Sequence, residues 1–107
     1  MSYYDGILQY PRYHKANKGV KGTIKLISPN QYFVEAGKNR RVPITSFQEQ
    51  TGVSMMYVDS YLKRAQIEKM PIPVIDKVNH EQEGRHRAMV AKQLGLKKIP
   101  VLFVEKT

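Results

Sequence analysis

The stretch that most constrains the fold is residues 70–104, where two strand-like runs enclose a helix bounded by glycines. Residues 71–75 are expected to be extended, because a residue that precedes proline is excluded from the helical region, and their two prolines favour a start at a sheet edge. Gly84 begins the helix and Gly95 caps its end, and residues 99–104 are typical of a buried strand. The sequence therefore predicts a strand–turn–helix–strand unit.

Shorter elements are expected upstream. Residues 23–27 alternate and are β-branched, which favours a strand. Ser28 followed by Pro29 is a helix-start signal, so a short helix is predicted over residues 29–36, ending at Gly37.

The middle of the chain predicts two more helices. One is short and lies between Thr45 and Gly52, and the other is capped by Ser54 and runs over residues 55–69. The longer helix has an apolar face that is expected to join the core: Met55, Val58, Leu62 and Ala65. This succession of short helices and strands indicates an α+β (mixed α/β) domain around a small mixed sheet.

A chain of 107 residues has room for a single hydrophobic core, so one domain is expected, over residues 21–107. Residues 1–20 are rich in tyrosine, lysine and glycine and show no helical or strand period, which predicts a basic arm. The absence of cysteine excludes disulfides, thiolate metal sites and cysteine nucleophiles. A cytoplasmic protein is expected, because no apolar run approaches the roughly 20 residues of a membrane span and no secretory leader is evident.

Basic residues outnumber acidic ones by 18 to 9, and the net charge of +9 is unevenly placed. Residues 1–43 carry +6, residues 44–82 carry −1 and residues 83–107 carry +4. A one-sided positive surface attracts phosphates, which makes nucleic acid a candidate partner. The candidate contacts are Arg12, Lys15, Lys18, Lys21, Arg40 and Arg41. Tyrosines of the arm would stack on bases or, alternatively, pack the arm onto the domain, and lysine-rich surfaces also serve solubility.

The turn Glu83-Gly84-Arg85-His86-Arg87 carries the clearest functional signal, because it reverses the usual charge order of a helix start. Helix N-termini favour acids, and each cation there costs roughly 0.3–1 kcal/mol when no anion is near. A bound phosphate would remove that cost by accepting backbone N–H bonds near Gly84 and bonds from Arg85, His86 and Arg87. In the alternative, Glu83 pairs with one arginine and the remaining charge is solvated.

The same region resembles the ParB/sulfiredoxin superfamily, in its small stand-alone ParB-like form. The resemblance is carried by MPIPVID, then QEGRHRAMVAKQLG, then LKKIPVLFV, and more loosely by KGTIKLISPNQYF upstream. It implies a ParB/sulfiredoxin-like fold whose acid-Gly-x-His-Arg turn holds nucleotide phosphates, here through Gly84, His86 and Arg87. Sulfiredoxins carry their catalytic cysteine where this chain has Arg85, so reduction of a sulfinic acid is excluded.

Chromosome-partitioning members of the superfamily bind CTP through an arginine-rich box at this position. They follow it with DNA-reading and dimerisation domains that these 107 residues do not contain, so partitioning is not expected of this chain alone. The resemblance to small stand-alone members also suggests that this chain is a phage or plasmid protein. Any cofactor is expected to be a nucleoside triphosphate, with Mg²⁺ if it is hydrolysed.

Catalysis is an open question at this point, with NTP hydrolysis and phosphodiester cleavage as the candidate reactions. Glu83 is the only acid of the turn, so it would position Mg²⁺ or a nucleophile. Asp76 and Glu81 would either assist or balance charge. No transition-metal site is expected, because the three histidines lack partners at ligand spacing: His14, His80 (placed in a solvated loop) and His86.

Three function classes remain. The leading one is a nucleotide- or phosphate-binding module that acts on or near DNA, with phosphates held at residues 84–87. The second is a sequence-independent nucleic-acid binder or weak nuclease, whose affinity would fall steeply with salt. The third is a non-catalytic adaptor or inhibitor that binds an acidic protein through the basic surface. No membrane partner is expected, and the sequence does not indicate an oligomeric state.

Overall fold

The computed structural model of the chain describes residues 2–4, 19–40 and 55–107. Within these ranges the elements are β1 (Tyr3–Tyr4), β2 (Val20–Ile27), α1 (Pro29–Arg40), α2 (Met55–Arg64), β3 (Met70–Pro71), β4 (Val74–Asp76), β5 (Glu81–Glu83), α3 (Arg85–Gln93) and β6 (Ile99–Lys106). The expected α+β class, with short helices on a small mixed sheet, is confirmed.

The main sheet has four strands in the order β2-β6-β4-β5. β6 is antiparallel to β2 and parallel to β4, and β5 folds back on β4 as an antiparallel hairpin. β4 and β6 run parallel because α3 crosses between them, as a parallel pair requires. The predicted C-terminal unit is therefore present, with β5 as a further strand. β1 and β3 form a separate two-stranded parallel ribbon.

The sheet separates two apolar clusters, because successive side chains of a strand face opposite sides. On the helix side, Ile75 of β4 and Phe103 of β6 join buried residues from all three described helices. On the other side, Val74 and Leu102 belong to a smaller cluster. Tyr3 of β1 packs against both clusters, so the short ribbon is attached where they meet.

α1 begins as predicted but continues past the expected end at Gly37. The Ser28 hydroxyl accepts a hydrogen bond from a first-turn N–H at 3.0 Å, which is the capping expected of it. At the other end of the helix, the Asn39 side-chain amide donates to the carbonyl oxygens of Asp76 and Glu81, both at 3.0 Å. These bonds hold the last turn of α1 against the β4–β5 hairpin and offset the cost of about 1 kcal/mol for a helical glycine.

α2 begins at Met55 as predicted and ends at Arg64, five residues before the expected end at residue 69. Residues 65–67 continue as turns, because the chain must leave the helix to enter β3 at residue 70. The predicted apolar face is confirmed for Val58 and Ala65, which are buried, and for Leu62, which packs against the core. It is wrong for Met55, which is 48% exposed.

The strand predicted over residues 71–75 is in fact two strands. β3 pairs with β1, whereas β4 lies inside the main sheet between β6 and β5. The prolines predicted an edge position for the start of this run, and the start lies in β3, which is an edge strand of the two-stranded ribbon. The interior position is possible because Pro71 and Pro73 both precede β4, which leaves the N–H groups of that strand intact.

α3 ends with the glycine cap at Gly95 that the sequence predicted. This glycine has φ +75°, its N–H donates to the Lys92 carbonyl at 3.0 Å, and the Leu96 N–H donates to the Ala91 carbonyl at 3.0 Å. Those two bonds define a Schellman motif, in which a left-handed residue closes the helix. β6 then begins at Ile99 and is buried over most of its length.

Two predictions fall largely outside the described residues. The helix expected between Thr45 and Gly52 lies there, as does most of the predicted arm. Tyr3 and Tyr4, assigned to the arm, form β1, and Val20 begins β2. The division of the chain into an arm and a domain stays a prediction.

Candidate anion site at the start of α3

Gly84 joins β5 to α3 in a conformation that only glycine adopts readily. Its φ is +99°, and a Cβ at this position would lie 2.8 Å from Pro73 Cα, from Pro73 Cβ and from Arg87 Nη2. A side chain is therefore excluded both by the backbone conformation and by the close approach of Pro73. Because glycine has no side chain to cap the helix, the first N–H groups of α3 receive no side-chain cap from this residue.

Arg87 is the buried cation of the site, with only 4% of its surface exposed. Its Nη1 lies 3.9 Å from Glu83 Oε1, which is a long ion pair. Among the described residues, no acceptor reaches Nε or Nη2, and both atoms are buried. A buried charge without full partners costs several kcal/mol, so an anion bound here would offset an existing penalty.

His86 lies against two tyrosines of α2. Its ring meets Tyr57 edge-on, with the centroids 5.4 Å apart, and stacks on Tyr61 at 6.2 Å. Burial, and then the charges of Arg85 and Arg87, lower the pKa of His86 below its usual value. The ring is therefore neutral near pH 7, and the first turn of α3 carries two cations rather than the three that the sequence allowed.

Glu83 ends β5 and turns its carboxylate towards Arg87. The carboxylate is 37% exposed, and the Glu83 carbonyl accepts a hydrogen bond from the Tyr32 hydroxyl at 2.9 Å, which ties the turn to α1. The pairing of Glu83 with one arginine, foreseen as the alternative to phosphate binding, is thus present at long range. At 3.9 Å it leaves most of the Arg87 hydrogen-bonding capacity unused.

Asp76 has a structural use in the hairpin before the site. Its carboxylate is fully buried; Oδ1 accepts from the N–H groups of Val78 at 2.9 Å and Asn79 at 3.1 Å, and Oδ2 accepts from the Asn79 amide at 2.8 Å. Asp76 was expected either to assist in chemistry or to balance charge beside the basic turn. Its carboxylate instead accepts the hydrogen bonds that close the turn between β4 and β5. Glu81 lies in β5.

His80 lies in a turn and is exposed, which agrees with the solvated loop expected for it, and it also makes a contact that was not expected. It adopts a left-handed conformation with φ +54°, and its Nδ1 lies 3.1 Å from the Asn39 carbonyl oxygen. Sequence reasoning missed this contact because the partner is 41 positions away on α1.

The structure describes two of the six predicted nucleic-acid contacts. Lys21 is exposed on β2, and Arg40 is the last residue of α1. The other four lie outside the described residues: Arg12, Lys15, Lys18 and Arg41. A nucleic-acid surface built on these six residues stays a prediction.

Comparisons of the chain with protein-family models, with curated proteins and with solved structures found no match. Within the described ranges, no three histidine or acidic side chains come together to hold a metal ion. The helices of the same ranges are too short and too polar to cross a membrane.

Proposed function

We propose that the turn at residues 84–87 binds the phosphates of a nucleotide, as a ParB-like module acting on or near DNA. The observation that carries the proposal is Arg87, a buried guanidinium at a helix start with two nitrogens that no described residue satisfies. A helix N-terminus and a buried, incompletely paired cation both favour a negative charge at the same place.

Each residue of the turn has a distinct part in this proposal. Gly84 lets the phosphate approach the backbone, and the first N–H groups of α3 donate to it. Arg85 and Arg87 supply positive charge from the outer and inner sides of the turn, since Arg85 is half-buried and Arg87 is buried. His86 is neutral in the absence of an anion and donates one hydrogen bond.

The acid of the turn fits a balancing role better than a metal-binding one. Glu83 lies 3.9 Å from Arg87, so its carboxylate already compensates a cation. Mg²⁺ in nucleotide sites is held by one or two carboxylates together with the substrate phosphates. Glu83 would supply one such carboxylate, and hydrolysis by this chain stays a prediction.

An exposed aromatic ring beside the turn favours a nucleotide over a bare phosphate. Tyr57 is 56% exposed, and its ring contacts His86 directly. Stacking of a base on an aromatic side chain contributes about 1–3 kcal/mol in proteins that bind single strands. A ligand with its phosphate at Gly84 and its base near Tyr57 would use both features.

The test is calorimetric titration of the full chain with ATP, CTP and inorganic triphosphate. Arg87→Met keeps the side-chain volume and removes the charge, and the expected loss is about 10- to 100-fold for all three ligands, as for a charge-assisted hydrogen bond. Lys98→Met is the matched control, because it removes one exposed positive charge outside the turn. If the two variants lose the same affinity, the effect comes from net charge alone, and the assignment of Arg87 to phosphate binding is overturned.

A second pair of titrations tests the base. Tyr57→Leu is expected to weaken ATP and CTP while leaving inorganic triphosphate unchanged, because only the nucleotides carry a ring. If all three ligands weaken equally, Tyr57 does not contact a base. Tighter binding of duplex DNA than of any nucleotide, with a steep dependence on salt, would favour the nucleic-acid binder instead.

A further inference from the structure

We infer that the ligand of this site is a single-stranded nucleic acid rather than a free nucleotide. Its phosphate would occupy the turn at residues 84–87, and two of its bases would lie on Tyr57 and Arg64 of α2. The inference rests on the proposed function for the phosphate, and it adds the class of ligand and a second surface for a base. It is carried by a row of side-chain contacts that leads from the turn along α2.

Four side chains form this row, here called the α2 row: Tyr57, His86, Tyr61 and Arg64. The rings of Tyr57 and Tyr61 both contact the His86 ring, and the guanidinium carbon of Arg64 lies over the Tyr61 ring, 5.2 Å from its centroid. The three residues of α2 are four and three positions apart, so they share one side of the helix. Because His86 belongs to the turn, the α2 row begins where the proposed phosphate lies.

The two outer members of the α2 row are the ones that a ligand can reach best. Tyr57 is 56% exposed and the side chain of Arg64 is 51% exposed. Tyr61 and His86 are half-buried and support them. Bases of single-stranded nucleic acids stack on aromatic rings and on arginine guanidinium groups. The α2 row therefore offers two surfaces for bases.

Arg64 suits a base better than a phosphate, because its charge is already compensated. Its Nε and Nη2 donate to Glu68 Oε2 at 3.4 Å and 3.2 Å, while Tyr61 contacts the same guanidinium. These contacts restrict the side chain before any ligand arrives, which lowers the entropy lost on binding. The cations Arg85 and Arg87 lie at the turn, so the phosphate and the base have separate places.

The distance between the two surfaces favours a single strand. Tyr57 and Arg64 are seven positions apart on a helix that rises 1.5 Å per residue, which separates them by about 10 Å along its axis. Bases inside a duplex have neighbours about 3.4 Å away, which leaves no room for a side chain on their faces. Bases of a single strand can be splayed apart and stacked on protein. A lone nucleotide would cover only one of the two surfaces.

The experiment titrates the full chain with four ligands in the same buffer and salt. These are thymidine monophosphate, a 5′-phosphorylated oligothymidylate, an abasic strand with the same number of phosphates, and a hairpin duplex with the same 5′-phosphate. The oligothymidylate is expected to bind at least about fivefold more tightly than the abasic strand or the duplex, because only its bases can stack on the α2 row. Equal affinity for the oligothymidylate and the abasic strand, or tighter binding of the duplex, would overturn the inference.

Two adjacent cations of α2 provide matched variants. Arg64→Lys keeps the charge but loses the planar guanidinium, and it is expected to weaken the oligothymidylate at least about fivefold while leaving thymidine monophosphate unchanged. Lys63→Met removes an exposed positive charge from another side of the helix and is expected to change the affinity less than about threefold. If Arg64→Lys binds the oligothymidylate as tightly as the wild type, or if Lys63→Met loses as much affinity, Arg64 does not hold a base.

The sugar distinguishes DNA from RNA as the source of the strand. An oligouridylate and an oligodeoxyuridylate of equal length are expected to bind within about threefold of each other, because stacking uses only the bases. Binding of one of the two strands alone would show that contacts to the sugar hold it, which contradicts stacking on the α2 row.

Arg87→Met separates the inference from the proposed function. If both are right, this variant weakens thymidine monophosphate and the oligothymidylate alike. If Arg87→Met changes neither ligand and Arg64→Lys still weakens the oligothymidylate, the phosphate assignment is wrong and the α2 row stands. If thymidine monophosphate depends on Arg87 but the abasic strand binds as tightly as the oligothymidylate, the proposed function stands and the inference is wrong.

Discussion

Gly84 offers the sharpest test of the site, because a single methyl group there meets two separate obstacles. An L residue in the left-handed region costs about 1–2 kcal/mol. The added Cβ of Gly84→Ala would also lie 2.8 Å from Pro73 Cα, a backbone atom that cannot swing aside. Overpacking of this kind costs typically 1–3 kcal/mol. The two effects together predict a loss of about 2–5 kcal/mol from a free energy of unfolding of roughly 5–15 kcal/mol.

Gly95 provides the matched control, because it has a similar backbone and no crowding. Its φ is +75°, and a Cβ built there meets nothing within 4 Å. Gly95→Ala is therefore expected to lose only the conformational part, about 1–2 kcal/mol. Thermal unfolding followed by circular dichroism should show the difference, since 1 kcal/mol shifts Tm by roughly 4–8 °C in a domain of about this size.

The comparison of the two glycine variants can refute the reasoning in either direction. Equal destabilisation would mean that Pro73 does not press on the turn and that the wall of the site is looser than the 2.8 Å contact implies. If Gly84→Ala is not destabilised, the backbone of the turn is not left-handed. The proposal that this turn aims the start of α3 at an anion would then be unsupported.

Two further outcomes follow from single side chains. Asp76→Ala removes three hydrogen bonds from the turn before β5, and urea unfolding is expected to show a loss of about 2–4 kcal/mol in the free energy of unfolding. Asp59 is exposed, and Asp59→Ala should change the free energy of unfolding by less than about 0.5 kcal/mol. The lowered pKa of His86 means that the folded state binds a proton less readily than the unfolded state, so the free energy of unfolding should fall as the pH drops through 6.5 and below. His86→Asn should flatten that dependence as the pH falls through 6.5, and an unchanged slope would show that the ring is not buried against the tyrosines.

Local signals in the sequence were enough to predict most element starts. Ser28 and Pro29 mark the start of α1 because capping and a fixed φ act within one turn. Gly84 and Gly95 mark the two ends of α3 because both need a left-handed backbone. The buried strand β6 follows from its run of apolar and β-branched residues.

Features that depend on distant partners could not be read in the same way. β5 consists of Glu81-Gln82-Glu83, which has no apolar alternation, and it forms a strand because β4 offers it a pairing edge. Arg87 lies close to the turn at Gly84 and to Pro73, which is 14 positions away, so its burial could not be predicted from residues 83–87 alone. The lowered pKa of His86 likewise depends on distant residues, because the rings that pack against His86 belong to α2.

The central place of β6 has a consequence for how the chain is made. Ile27 of β2 pairs with Ile99 of β6, so β2 leaves the ribosome long before the strand that completes it. Until β6 emerges, β2 exposes an open hydrogen-bonding edge together with Ile24 and Leu26, which stay partly exposed even in the finished fold. Pairings this distant in sequence form slowly. The nascent chain therefore carries an unpaired and partly apolar strand, of the kind that favours aggregation, until β6 closes the sheet.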